Sequence, residues 1–282
     1  MGIKRTDFAG AWYPGTKREC ARTIEEYSKA VPESSAKFEG VGGIVPHAGW
    51  YFSGRTAIAV YKTIGRKRTP DVIFLFGMHL PPGGPLYLFV DEGLETPLGN
   101  LFVNRKAVDM LRDEFDFIEE NASSYTRDNT RELQLPMLKH FFPDTTVVSA
   151  GISPGSTALK IGETAASIAK NLELDACFIG STDLTHYGPN YGFTPQGVGL
   201  KSVDWVKNIN DRQVIDAFLK ADPQEVMRQA ASHQNACCPG GASAAIAAVR
   251  SMGVRQGTLA HYTTSYDVHP DQSFVGYAGV VY

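Results

Sequence analysis

The chain has 282 residues, of which 43% are hydrophobic and 20% charged, and a formal net charge of −3 at pH 7. That composition is ordinary for a soluble globular protein with a sizeable core. The small negative charge gives no long-range attraction for nucleic acid or an anionic membrane, so neither is expected as a partner.

Apolar runs of strand length alternate with helical patterns along most of the sequence. Residues 16–30 read as a helix, 41–45 as a strand, 53–64 as a helix and 71–76 as a strand. Residues 85–90 form a further strand before the turn-rich Glu95-Thr-Pro-Leu-Gly99. Helices are predicted at 105–113 and 130–141, with a strand at 145–150. Pro154-Gly155-Ser156 then starts another helix. A strand follows at 174–180, and 202–232 is all-helical with a break near Asp222-Pro223. The small-residue run 240–249 predicts a tightly packed buried helix, and 257–262 and 273–281 close the chain as strands. This order implies an α/β fold over residues 1–282 as one domain. Its sheet is mixed but mainly parallel, covered by helices on both faces, with the last two strands as an antiparallel addition. The most linker-like stretch, 81–85, is too short to separate domains.

No stretch reaches the roughly 18 continuous apolar residues of a membrane helix. The start, Met1-Gly-Ile-Lys-Arg-Thr-Asp7, lacks the apolar core of a signal peptide, so a cytoplasmic location is expected. The basic residues between Lys62 and Arg68 read as a solvated helix end. Cys20 and Cys177 read as small core residues, and adjacent Cys237 and Cys238 do not suggest a disulfide framework.

Three loops end hydrophobic strands by presenting a histidine: Val45-Pro-His47-Ala-Gly49, Phe76-Gly-Met-His79, and Ser181-Thr-Asp183-Leu-Thr-His186. In an open α/β sheet such loops converge at the carboxyl ends of the strands, so these histidines can share one crevice. Imidazole suits iron, copper and zinc, and a thiolate adds preference for softer ions. Cys238 precedes Pro239 and a helix start, where the helix dipole and free amides favour the thiolate. Two histidines and one anionic ligand leave coordination positions open, a catalytic rather than a structural pattern. Asp183 stands three residues before His186 and is suited to orient it as a general acid or base. His140, His233 and His269 read as surface or structural residues and His261 as ambiguous. Trp50 and Tyr187 read first as core aromatics.

Ala9-Gly-Ala-Trp-Tyr-Pro14, Val45-Pro-His-Ala-Gly-Trp-Tyr-Phe-Ser-Gly54, Thr96-Pro-Leu-Gly99, Glu132-Leu-Gln-Leu-Pro136, Ser181-Thr-Asp-Leu-Thr-His-Tyr187, Tyr262-Thr-Thr-Ser265 and Val275-Gly-Tyr-Ala-Gly279 occur in an order, and over a length, that resemble the Memo family. The resemblance implies a fold similar to the class III extradiol dioxygenases. It implies His47, His79 and Cys238 around a metal, with His186 and Asp183 as the acid/base pair beside it. Fe(II) is the first expectation, with Cu or Zn as alternatives. It also implies a radical-SAM protein and an AMMECR-like protein as partners of prokaryotic members. Four departures stand out. Asp128-Asn-Thr-Arg-Glu132 replaces the usual Glu-His-Ser-Leu-Glu, so Asn129 stands where a histidine is usual. The loop before His79 is one residue short. Cys237 precedes the expected cysteine and competes with it. Tyr266 replaces a glycine and is expected to narrow the pocket.

The leading expectation is a metal-dependent redox enzyme, a dioxygenase-like oxidoreductase acting on an unidentified small substrate. A zinc-dependent hydrolase and a non-catalytic scaffold that binds a metal or peptide are the alternatives.

Overall fold

The computed structural model describes residues 2–31, 40–66 and 68–282. In chain order the first half holds β1 (Ile3–Lys4), α1 (Lys17–Ala30), β2 (Gly42–Val45), α2 (Trp50–Gly65), β3 (Val72–Gly77), β4 (Leu86–Phe89), β5 (Gly93–Leu94), β6 (Leu101–Phe102), α3 (Arg105–Glu114), β7 (Phe117–Glu120), α4 (Asn129–Glu132) and α5 (Leu135–Phe141). The second half holds β8 (Thr146–Gly151), α6 (Ser156–Asn171), β9 (Ala176–Ser181), β10 (His186–Tyr187), α7 (Leu200–Trp205), α8 (Asp211–Leu219), α9 (Pro223–His233), α10 (Pro239–Ser251), β11 (Thr258–Thr264), α11 (Ser265–Val268) and β12 (Phe274–Val281).

A nine-stranded sheet runs β10-β12-β2-β9-β3-β8-β4-β7, with β11 paired to β12. Strands β2, β9, β3 and β8 are mutually parallel, as their alternation with helices requires. β12 lies antiparallel to β2, and β11 lies antiparallel to β12. The sheet is therefore mixed, with a parallel centre of four strands and the late antiparallel addition at one side. β4 joins β8 antiparallel and carries β7 on its outer side.

Every residue of β3 is buried, and successive residues serve opposite faces. Val72, Phe74 and Phe76 join a core beneath α6 and α10, while Ile73 and Leu75 join a core beneath α1 and α2. Residues 240–249 are all buried, as the small-residue run predicts. There a Cβ at Gly241 would sit 3.0 Å from the Gly77 Cα, so the start of α10 rests directly on the backbone end of β3.

Some boundaries differ from the sequence reading. The helix placed at 53–64 starts at Trp50, because Gly49 turns the chain directly into it. The helix placed at 130–141 is two, α4 and α5, since Pro136 has no N–H to bond back to the Glu132 carbonyl. Strands β1, β5, β6 and β10 have two residues each, too few to show a pattern, and β7, Phe117-Ile-Glu-Glu120, is half acidic and shows no apolar run. The basic run is tied down rather than loosely solvated: Lys62 Nζ donates to the Ser28 carbonyl at 2.8 Å, and Arg68 pairs with Asp175. Lys67 lies outside the described residues.

Candidate metal centre

Three neighbouring parallel strands, β2, β9 and β3, deliver His47, the Asp183–His186 loop and His79 to one edge of the sheet. The start of α10 brings Cys237 and Cys238 to the same place. Ligand atoms of His47, His79, Cys237 and Cys238 all lie within 4.8 Å of one another.

His47 is held on every side. Its backbone N–H donates to Asp183 Oδ1 at 2.7 Å, and its carbonyl accepts from Asn129 Nδ2 at 3.0 Å. Its Nδ1 stands 3.0 Å from Ser181 Oγ, which donates its single proton to the Thr130 carbonyl at 2.7 Å. A hydroxyl has one proton to give. Nδ1 must therefore carry a hydrogen and donate it to Ser181, and Nε2 is the nitrogen turned to the cluster. That Nε2 lies 3.2 Å from His79 Nε2 and 3.2 Å from Cys237 Sγ.

His79 reaches the cluster through Met78, whose φ of +80° lies in the left-handed region. The Met78 N–H donates to Thr130 Oγ1 at 2.7 Å, which fixes the turn. Thus the loop one residue short of its family pattern still delivers its imidazole. α4 steadies both histidines, Thr130 through its hydroxyl and its carbonyl.

The two cysteines are not equivalent. Cys237 Sγ contacts His47 and accepts from the Asp183 N–H at 3.2 Å, whereas Cys238 Sγ is 3.8 Å behind it. Burial would raise the Cys237 thiol, but hydrogen bonds from Cys238, His47 and His79 and the His47 charge hold it well below the usual thiol range. Burial and the neighbouring Cys237 charge push Cys238 the other way. Burial would lower His47, yet the Asp183 carboxylate and the Cys237 thiolate push it up to about 9. Both shifts favour charge in this pair: the imidazole holds its proton more tightly and the thiol releases its proton more readily.

His186 Nε2 has no hydrogen-bond partner among the described residues and stands 3.9 Å from Asp183 Oδ2. Burial opposes its charge, but Asp183 and the Cys237 thiolate raise it above the ordinary imidazole range. Its ring packs on Tyr191, with centroids 4.9 Å apart.

Above these groups opens a crevice of about 590 Å³ that His47, His79, Asn129, Asp183 and His186 all line. His269, read as a surface or structural residue, also lines it, because the chain after β11 folds back over this edge of the sheet. Trp12, Tyr51, Phe52, Tyr191 and Asp271 line it as well and were not singled out as site residues. Trp12 and Tyr51–Phe52 lie inside motifs carrying the family resemblance; Asp271 has no such signal. Trp50 and Tyr187 are core residues, as expected: Trp50 Nε1 donates to the Leu133 carbonyl and the Tyr187 hydroxyl to the Gly197 carbonyl. Tyr266, expected to narrow the pocket, instead packs edge-on against Phe274 outside the crevice.

Comparison with known proteins gives a consistent result. Residues 4–281 match the model of a family described as "Memo-like protein". A MEMO1 family protein of Nitrosopumilus maritimus is 30% identical, with 99% of this chain and 98% of that protein covered. One from Thermococcus onnurineus is 28% identical, with 97% of each covered. A crystal structure of uncharacterized protein JW3007 from Escherichia coli K12 has a similar fold, with a TM-score of 0.51 at 10% identity over 78% of this chain and 90% of that one.

Proposed function

This chain belongs to the Memo-like protein family, and we propose that its His/Cys cluster holds one redox-active metal ion, Fe(II) before Cu, in an oxygen-using enzyme for a small substrate. The observation that carries this reading is the convergence of four donors within 4.8 Å at the base of a crevice. We assign the ligands as His47, His79 and Cys237. The sequence reading placed Cys238 in that set; the contact of Cys237 Sγ with His47 Nε2 favours its neighbour.

The donor set fits such an ion. Ser181 fixes the hydrogen of His47 on Nδ1, so a cation at the cluster displaces only the Nε2 proton and meets a lone pair. A thiolate with two imidazoles is a soft-to-borderline set that suits iron or copper and leaves positions open. Bound there, the ion would supply one-electron chemistry that no side chain in the crevice provides. The chain's own groups do the rest. Asp183 anchors the His47 backbone and faces His186, which holds a proton on the crevice wall for transfer to or from substrate.

Protein purified without oxygen should carry about one Fe or Cu per chain, and His47→Ala should abolish it. Cys237→Ser should weaken metal binding more than Cys238→Ser does. Metal absent at every site ends the proposal, and zinc in place of iron, with activity surviving anaerobiosis, would turn it toward hydrolysis.

A further inference from the structure

The crevice lining divides by chemistry. His47, Asp183 and His186 lie toward the cluster with His79, and exposed rings lie at the rim with Asp271 and His269. Trp12 is 43% exposed, Tyr51 61% and Tyr191 47%, and all three line this one opening. Exposed apolar side chains scattered singly need no explanation, but a group around a concave site marks a binding surface.

Charge gives the second observation. Among the described lining residues there is no lysine or arginine, and the carboxylates are Asp183 and Asp271. Asp183 is buried and already accepts from His47, whereas Asp271 is exposed on the rim. The cations that a carboxylate or phosphate could meet among the described lining residues are imidazoles, of which His47 already faces Asp183 and Cys237 and His186 faces Asp183. At the rim no guanidinium or ammonium among those residues stands beside Asp271. An organic cation meets Asp271 and the negative faces of the rings, two attractions that act together.

We propose that the outer crevice recognises an organic cation, a small molecule joining an ammonium group to an aromatic or apolar body, with the ammonium against Asp271 and the body against Trp12, Tyr51 and Tyr191. The proposal rests on the reading of this crevice as the substrate site over the cluster, and it adds the substrate class.

Calorimetric titration of the full-length, metal-free protein at pH 7 tests it with three probes of one shape. These are tyramine, the neutral 4-(2-hydroxyethyl)phenol, and the anionic 3-(4-hydroxyphenyl)propionate. Tyramine should bind about tenfold tighter than the propionate, with the alcohol between them. Asp271→Asn should bring tyramine down to the alcohol, a loss of about fivefold, without changing the alcohol itself. Trp12→Leu should weaken all three together. Propionate binding as tightly as tyramine, binding of none of the three, or an Asp271→Asn variant indistinguishable from the parent would each overturn it. Metal quantification on protein purified without oxygen and not stripped of metal judges the metal reading separately. A chain that holds no metal yet selects tyramine keeps this inference and loses the other; one that holds metal and selects the propionate does the reverse.

Discussion

On one side of residues 128–132 lies a closed set of charges, and on the other an open one. Arg131 pairs with Asp128 at 3.0 Å and Glu120 at 2.9 Å, and Lys4 pairs with Glu132 at 2.9 Å and Asp7 at 2.8 Å. Glu132 also accepts from the N–H groups of Asp7 and Phe8 and the Tyr13 hydroxyl, which pins the N-terminal segment to α4. Across the same helix, His47 and His79 turn ring nitrogens toward each other, and His186 Nε2 has no hydrogen-bond partner among the described residues. Both regions bury ionisable groups. What separates them is geometry: the first set is used up in pairs within the chain, whereas the second aims four donor atoms at one point beneath a crevice. A buried charge with its partners in place is architecture; converging donors short of a cation are a site.

The contrast breaks most severely if the closed set fails to behave as structure. Arg131→Met leaves Asp128 and Glu120 buried without their cation and should cost about 3–5 kcal/mol in denaturant unfolding. The folded fraction should still bind about one metal per chain; loss of metal without loss of stability would merge the two regions.

Asp211 sharpens the comparison next. It is fully buried beneath the Asp183–His186 loop, and its partners are the Thr185 N–H and hydroxyl and the Tyr262 hydroxyl rather than a cation. Burial pushes its carboxyl up to about 6, against the lowering effect of those bonds. The folded state thus binds the proton more tightly than the unfolded chain, whose carboxyl titrates near 4. Its stabilising contribution is full below about pH 4 and is lost as pH rises through about 6, about 3 kcal/mol in all. In Asp211→Asn that decline in thermal midpoint between pH 4 and 7 should flatten. An unchanged slope removes Asp211 as its cause.

The smallest expected effect is the most local. Ser181→Ala removes the acceptor that holds the His47 hydrogen on Nδ1 and should weaken metal binding about 10–100-fold, with little change in stoichiometry. Unchanged affinity would show that the ring needs no such guide.

The sheet was legible because its parallel strands are buried on both faces and read as continuous apolar runs, Val72–Gly77 above all. The histidines at their ends followed from the same logic. The thiol was harder: neighbouring Cys237 and Cys238 have the same chemistry, and only the backbone at the start of α10, with Cys238 at φ −126° and ψ 59°, decides which sulfur faces His47. His269 and Asp271 lie in the connection between β11 and β12, and its return over the crevice follows from the pairing of those two strands, which no local pattern reports. Thr130 and Ser181 act through one hydroxyl and one carbonyl, too small a signature to stand out in a sequence.

The joint between Gly77 and Gly241 has one more implication. His79 follows one of these glycines and Cys237 precedes the other, so the span between imidazole and sulfur is referenced to main chain touching main chain. Such a joint has no rotamers to yield. A swap of core side chains elsewhere should leave the spacing of His79 and Cys237 as it is, while a single methyl at Gly241 would press the two backbones apart by a few tenths of an ångström, like a shim in a hinge.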